Sequence, residues 1–161
     1  MTAKDAQAQA PADPWAATIK GRPAPGSHAE RARRTRMEDV RMFSEMTGDW
    51  NPLHYDEALA ARTAFGGLIV QGGVTSGLLN ALVAEEIPGP GSVFLGVEWR
   101  FIRGVRVGEE IIGRIEVETV RQGKPICTLR TTVRNAAGET CLAGTATTYT
   151  LPLRALRDGA G

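Results

Sequence analysis

The chain is poor in the residues that build metal or disulfide frameworks, with two cysteines and two histidines among 161 residues. Cys127, Cys141, His28 and His54 are too few and too scattered for a structural zinc site, so no metal is expected. Charge of one sign is also lacking. Nineteen basic and eighteen acidic side chains leave a formal net charge of +1. That is not the field that nucleic acid or an anionic membrane recruits, and small molecules are the expected partners. No apolar run approaches the roughly twenty residues of a membrane span, and Asp5, Asp13 and scattered prolines stand where a signal-peptide core would be. A cytoplasmic location follows as the expectation. Lysine is scarce, at Lys4, Lys20 and Lys124 alone, and nucleotide composition explains this arginine bias better than phosphate recognition does.

What is present fits one globular domain, 42% hydrophobic and 23% charged. Residues 1–27, rich in Ala and Pro without a sustained period, are expected to be a mobile arm whose only docking points are Trp15 and Ile19. The folded domain is expected over 28–152, with a tail over 153–161. Ala29 to Arg34 can be a short strand. Thr35, three residues before Glu38, reads as the start of a helix carrying Val40, Phe43 and Met46 and ended by Gly48. Asp56 is a candidate cap for a short helix through Ala58 to Arg62.

The helix after Gly72 and Gly73 is the most informative. Gly73, Gly77, Ala81 and Ala84 form a stripe without bulk beside a large stripe of Val74, Leu78 and Leu82. The pattern predicts a helix buried nearly all round, with another backbone or ring close to Gly77, ended by Pro88 to Gly91. From Ser92 the period becomes two. Leu95, Val97, Trp99 and Phe101 form one apolar face, followed by alternating segments around Ile111 to Val117, Cys127 to Val133 and Thr140 to Thr150. Their short connections predict an antiparallel sheet, with a hairpin at NAAGE that sets Cys127 opposite a residue near Ala146, not Cys141. The class is α+β, a curved sheet wrapping one helix.

Acid, base and amide meet in one place, Gly48-Asp49-Trp50-Asn51-Pro52-Leu53-His54. Turn chemistry accounts for Gly, Asp, Asn and Pro but does not call for His54, and Pro52 stiffens the frame that carries it. With TGDWNPLH, then Phe65-Gly66-Gly67, IVQGG, IPGPG and FLGVEWRF, residues 28 to 152 resemble the MaoC-like dehydratases of the (R)-specific enoyl-CoA hydratase type.

The resemblance implies a hotdog fold, a homodimer and a hydro-lyase that adds water to a trans-2-enoyl-CoA or related thioester of fatty acid metabolism, giving the (R)-3-hydroxyacyl thioester without a cofactor. It implies that Asp49 and His54 hold the water, that Asn51 supports them, and that the Gly72 N–H binds the thioester oxygen. Gln71 stands where the family usually has His, Gly73 where it often has Met, and Asn80 where it often has Ser. These departures imply an altered acyl pocket lined by Gln71, Gly73 and Asn80. Arg100, Arg103 and Arg106 could meet coenzyme A phosphates, although an ordinary solvated face explains them slightly better. Two alternatives stay open: a hotdog thioesterase, which would more typically carry an acid on the central helix, and a non-catalytic acyl-thioester-binding subunit, which would not need both Asp49 and His54.

Overall fold

In the computed structural model, which describes residues 13–159, the alternating segments form one antiparallel sheet. Its strands are β1 (His28–Arg34), β2 (Ser92–Phe101), β3 (Glu110–Val120), β4 (Ile126–Asn135) and β5 (Thr140–Thr150). Their spatial order is β1-β3-β4-β5-β2. The short connections make β3, β4 and β5 neighbours, and β2 joins beyond β5 as an edge. The last hairpin closes through the Asn135 N–H on the Glu139 carbonyl at 3.0 Å, with Gly138 at φ +81°. Cys127 lies opposite Thr148, two residues from the expected Ala146. Both thiols are free and buried, and burial pushes each above the usual cysteine range.

Helix α1 (Met37–Thr47) starts one residue later than expected. Asp39, not Glu38, closes the cap by accepting the Arg36 N–H at 2.8 Å, while the Thr35 hydroxyl is drawn to the Arg106 and Glu109 carbonyls. Gly48 ends the helix at φ +80°, its N–H on the Ser44 carbonyl. Asp56 caps α2 (Glu57–Ala61), as its position suggested.

Helix α3 (Gly72–Glu85) lies against the sheet. Leu78, Leu79, Leu82 and Val83 join Ile111, Ile115, Val117, Leu129 and Val133 in the core, and each such side chain contributes about 1.5–3 kcal/mol of burial. Close approach is provided by the sheet. A Cβ on Gly113 would lie 2.9 Å from Leu78 Cγ and 3.3 Å from Leu82 Cδ1. The small stripe of the helix does not admit a backbone as expected: Gly73 is filled by the Phe43 ring, and Gly77 has nothing within 4 Å. Nor is α3 buried all round, since Asn80 and Ala84 are exposed. The large residues alone fill the space over the sheet, and the small ones look away from it.

Two further expectations are corrected. Within the arm expected over 1–27, residues 1–12 lie outside the described residues, but Trp15 is 0% exposed and belongs to the core. The Arg154 N–H binds the Ala17 carbonyl at 3.0 Å, so the short helix α4 (Leu153–Asp158) is tied to the same segment. One indole supplies a large apolar area without leaving any periodic trace in the sequence. In β2 a bulge between Phe94 and Gly96 shifts the register. Phe94 therefore takes the inner side in place of Leu95, with Val97, Trp99 and Phe101 opposite Ala146, Gly144 and Leu142 of β5. Val97 and Phe101 remain 45% and 58% exposed, because one chain offers nothing to cover them.

Candidate active site

The GDWNPLH segment folds by satisfying its own polar atoms. The Asn51 N–H binds Asp49 Oδ1 at 3.1 Å and the Leu53 N–H binds Asn51 Oδ1 at 3.1 Å, so Asn51 caps a 3-10 turn over Pro52–His54. The Asn51 side-chain carbonyl thus serves the backbone, not a pocket wall. Asp49 Oδ1 is likewise committed, and Oδ2 faces His54.

His54 is 6% exposed. Its Nδ1 lies 2.7 Å from the Ile69 carbonyl, and because that oxygen can only accept, Nδ1 carries the proton and donates. When Nε2 carries no proton, the ring presents its lone pair to Asp49 Oδ2 at 3.7 Å. Two acceptors at that separation do not bond to each other; a molecule that donates one hydrogen to each fits between them, and water is the smallest that does. Asp49 is 40% exposed on its side chain, which leaves the pair open to solvent.

Ile69 leads to Gly72, the first residue of α3. The Val74 and Thr75 N–H groups bind the Gln71 carbonyl, the first acceptor of the helix, and the N–H groups of Gly72 and Gly73 follow it too closely to have a partner within the helix, at the positive end of its dipole. A cavity of about 420 Å³ opens here, lined beside Gly72 by the apolar Phe65, Ile69, Phe101 and Val105 together with the polar Thr75 and Arg103. Phe101 lines it with its ring against Gly72: a Cβ on Gly72 would lie 3.0 Å from Phe101 Cε1. Ile69 thus links the two halves, its carbonyl fixing His54 and its side chain lining the cavity that reaches Gly72.

The other expected pocket residues fall elsewhere. Gln71, 2% exposed, points inward, its amide donating to the Val40 carbonyl at 3.2 Å and Ser44 Oγ at 3.0 Å. Gly73 lies under Phe43 on the α1 side, and Asn80 is exposed farther along α3. Of the three arginines, Arg103 is held by Glu109 and Glu139 at 3.0 and 3.3 Å, and Arg106 donates to the Phe65 carbonyl. Arg100 is exposed with neither an ion pair nor a side-chain hydrogen bond among the described residues. Sequence reasoning missed Ser44 and Tyr55, although Ser44 left a signal: a hydroxyl four residues after Val40, on the buried stripe of α1.

The family model described as the MaoC like domain matches residues 20–138. The chain belongs to the MaoC-like family. This MaoC-like chain is 37% identical over 121 residues to the (R)-specific enoyl-CoA hydratase of Aeromonas caviae, covering 75% of the chain and 90% of the relative. It is 39% identical over 94 residues to the 3-hydroxybutyryl-CoA dehydratase of Methylorubrum extorquens, covering 56% and 60%. The solved (R)-hydratase from A. caviae, whose description places it in PHA biosynthesis, superposes with a TM-score of 0.77 at 35% identity over 80% of this chain and 98% of that one. The sheet and helix described above are accordingly a hotdog fold.

Proposed function

We propose that this MaoC-like chain is a hydro-lyase acting on acyl thioesters, interconverting a trans-2-enoyl-CoA and the (R)-3-hydroxyacyl-CoA. The observation that carries the reading is the pair Asp49 and His54, whose facing acceptors 3.7 Å apart suit one water beside a helix N-terminus. The two relatives named as hydratase and dehydratase support the same chemistry in its two directions.

In this mechanism His54 Nε2 and Asp49 Oδ2 each accept one hydrogen of the water and aim its oxygen at C3 of the enoyl group. As the C3–O bond forms and the C2=C3 π electrons move toward the thioester, the pair takes one proton from the water and negative charge grows on the thioester oxygen, where the Gly72 N–H, unpaired at the start of α3, donates. The pair then returns that same proton to C2, so one water hydrogen ends on the 3-hydroxyl and the other on C2. The Ile69 carbonyl keeps Nδ1 protonated, so Nε2 remains the base throughout. The cavity beside Gly72 receives apolar substrate atoms. No cofactor takes part in these steps.

The active unit is proposed to be a homodimer. β2 is an unpaired edge, and Val93, Leu95, Val97, Phe101 and Ile102 are 45–61% exposed along it; uncovered edges and apolar patches of this kind are normally buried by a partner. A second copy would complete the cavity wall left open past Phe101. No helix among the described residues is long and apolar enough to cross a membrane; the chain is proposed to act in the cytoplasm.

Following the enoyl-thioester absorbance with crotonyl-CoA and longer enoyl-CoAs, with free thiol measured in parallel, tests the activity. Loss of absorbance without thiol release is expected. Thiol release without enoyl loss would make the chain a thioesterase instead.

A further inference from the structure

A single hydroxyl ties both halves of the site together. Ser44 Oγ lies 2.6 Å from the Asp49 carbonyl, 3.0 Å from Gln71 Nε2 and 2.5 Å from the Tyr55 hydroxyl. A carbonyl only accepts, so the one hydroxyl hydrogen of Ser44 must go to Asp49. The amide of Gln71 and the phenol of Tyr55 must then be donors into its two lone pairs. The bonding capacity of the hydroxyl is thereby filled, and each partner belongs to a different part of the site. Asp49 is the carboxylate, Tyr55 directly follows His54, and Gln71 directly precedes Gly72. Ser44 itself is 0% exposed, on a helix anchored by Val40 in the core.

The geometry also explains an amide at position 71. Gln71 Nε2 reaches two acceptors, the Val40 carbonyl and Ser44 Oγ, and an NH2 group has two hydrogens to give where one imidazole nitrogen has one. Its oxygen has no partner among the described residues. The side chain is thus held by its donor end alone.

We propose that Ser44 is a positioning residue, clamped by Gln71 and Tyr55, that sets the distance between the Asp49 carboxylate and the His54 imidazole and locks that pair to the first turn of α3. The proposal rests on the hydratase reading for its kinetic consequence, but its geometric consequence is independent of it. Ser44 touches no substrate; it acts through the Asp49 backbone, and a small displacement there misaligns the water.

The test uses the full chain with Ser44→Ala, Tyr55→Phe and Gln71→Met, the last keeping volume while removing both the clamp donors and the unpartnered oxygen. Ser44→Ala and Gln71→Met are each expected to lower kcat by roughly 10- to 100-fold, the range of an ångström-scale misplacement, with KM for crotonyl-CoA changed by about twofold or less. The double variant should be little worse than either single one, because both open the same clamp. Independently of turnover, the chain has two histidines, and ring resonances distinguish His54 from the exposed His28 on β1. In Ser44→Ala and Tyr55→Phe the His54 ring signals should move while those of His28 stay. Wild type inactive on every enoyl thioester would refute the hydratase reading and leave the clamp to be judged by the ring signals. Wild type active, with Ser44→Ala folded and equal to it in kcat, would overturn the clamp, as would His54 signals that superimpose on wild type.

Discussion

Replacing Asp49 by asparagine exchanges one oxygen for an NH2 group, and the structure dictates which one. Oδ1 accepts the Asn51 N–H at 3.1 Å, so the amide of Asp49→Asn must keep its oxygen there and turn its nitrogen toward His54. The 3.7 Å gap between Oδ2 and Nε2 then holds a donor facing a lone pair, and the two can close into a direct hydrogen bond. The change removes one acceptor for the water and occupies the other. Losing an acid-base group costs about two to four orders of magnitude, equivalent to about 2.7–5.4 kcal/mol in the barrier, and masking His54 places Asp49→Asn toward the upper end. His54→Gln should fall in the same range, and the double variant should be little worse than either, since both residues serve one step. Folding should be preserved, because the Asn51 cap and the Oδ1 contact survive. Initial rates of enoyl-thioester loss, with melting temperature and sedimentation on the same samples, provide the assay. Activity of folded Asp49→Asn within about tenfold of wild type would refute the argument and remove Asp49 from the mechanism.

Trp15→Ala should destabilise the fold by about 3–5 kcal/mol, which for a chain of this size lowers the melting temperature by roughly 6–20 °C; an unchanged melting curve would show that the segment does not dock. Trp15→Phe should cost less, because the buried indole N–H has no partner to lose. Gly73→Ala drives a Cβ into the Phe43 ring and should cost about 1–3 kcal/mol in chemical denaturation, with a double-mutant cycle against Phe43→Ala showing relief in the double variant. Val97→Lys places a charge on the uncovered inner side of β2 and should yield monomer mass by sedimentation together with lost activity. A dimer of full activity would place the interface elsewhere.

Much of the fold was legible because it depends on local pattern. The period-two segments after Ser92 and the buried leucines of α3 are written as spacing, and the turn residues of GDWNPLH declare themselves by type. The failures share a cause: each depends on contact between distant parts of the chain. Trp15 has no periodic neighbours to announce its burial, and the role of Gly77 depended on what stands opposite it, which is nothing within 4 Å, while Gly113 accommodates Leu78 and Leu82 from the sheet. In β2 one extra residue defeated a parity argument that was otherwise sound. At the site, Asp49, His54 and Gly72 were named from the motif, but the Ile69 carbonyl that fixes the tautomer of His54 is a backbone atom and carries no signature in side-chain identity. Gln71 was expected at a pocket wall and is instead turned inward to Val40 and Ser44.

The bulge in β2 gives that strand something like a reading frame. Before it, Phe94 lies on the inner side; after it, Val97, Trp99 and Phe101 do, with Phe94 and Trp99 packed against the core and Val97 and Phe101 left uncovered, and only the supernumerary residue reconciles the two stretches. Point substitutions at Leu95 leave this phase intact, whereas its deletion would not merely shorten the strand. Deletion would force a choice between withdrawing Phe94 from its edge-on contact with Trp99, whose ring centroids lie 6.0 Å apart, and turning Val97, Trp99 and Phe101 to the opposite face. Phe101 shields the Gly72 end of the cavity, so a length change at one end of the strand is transmitted about six residues along it to the reacting centre. Homologous sequences that keep the chemistry should therefore vary freely in what stands at position 95 and hardly at all in whether something stands there.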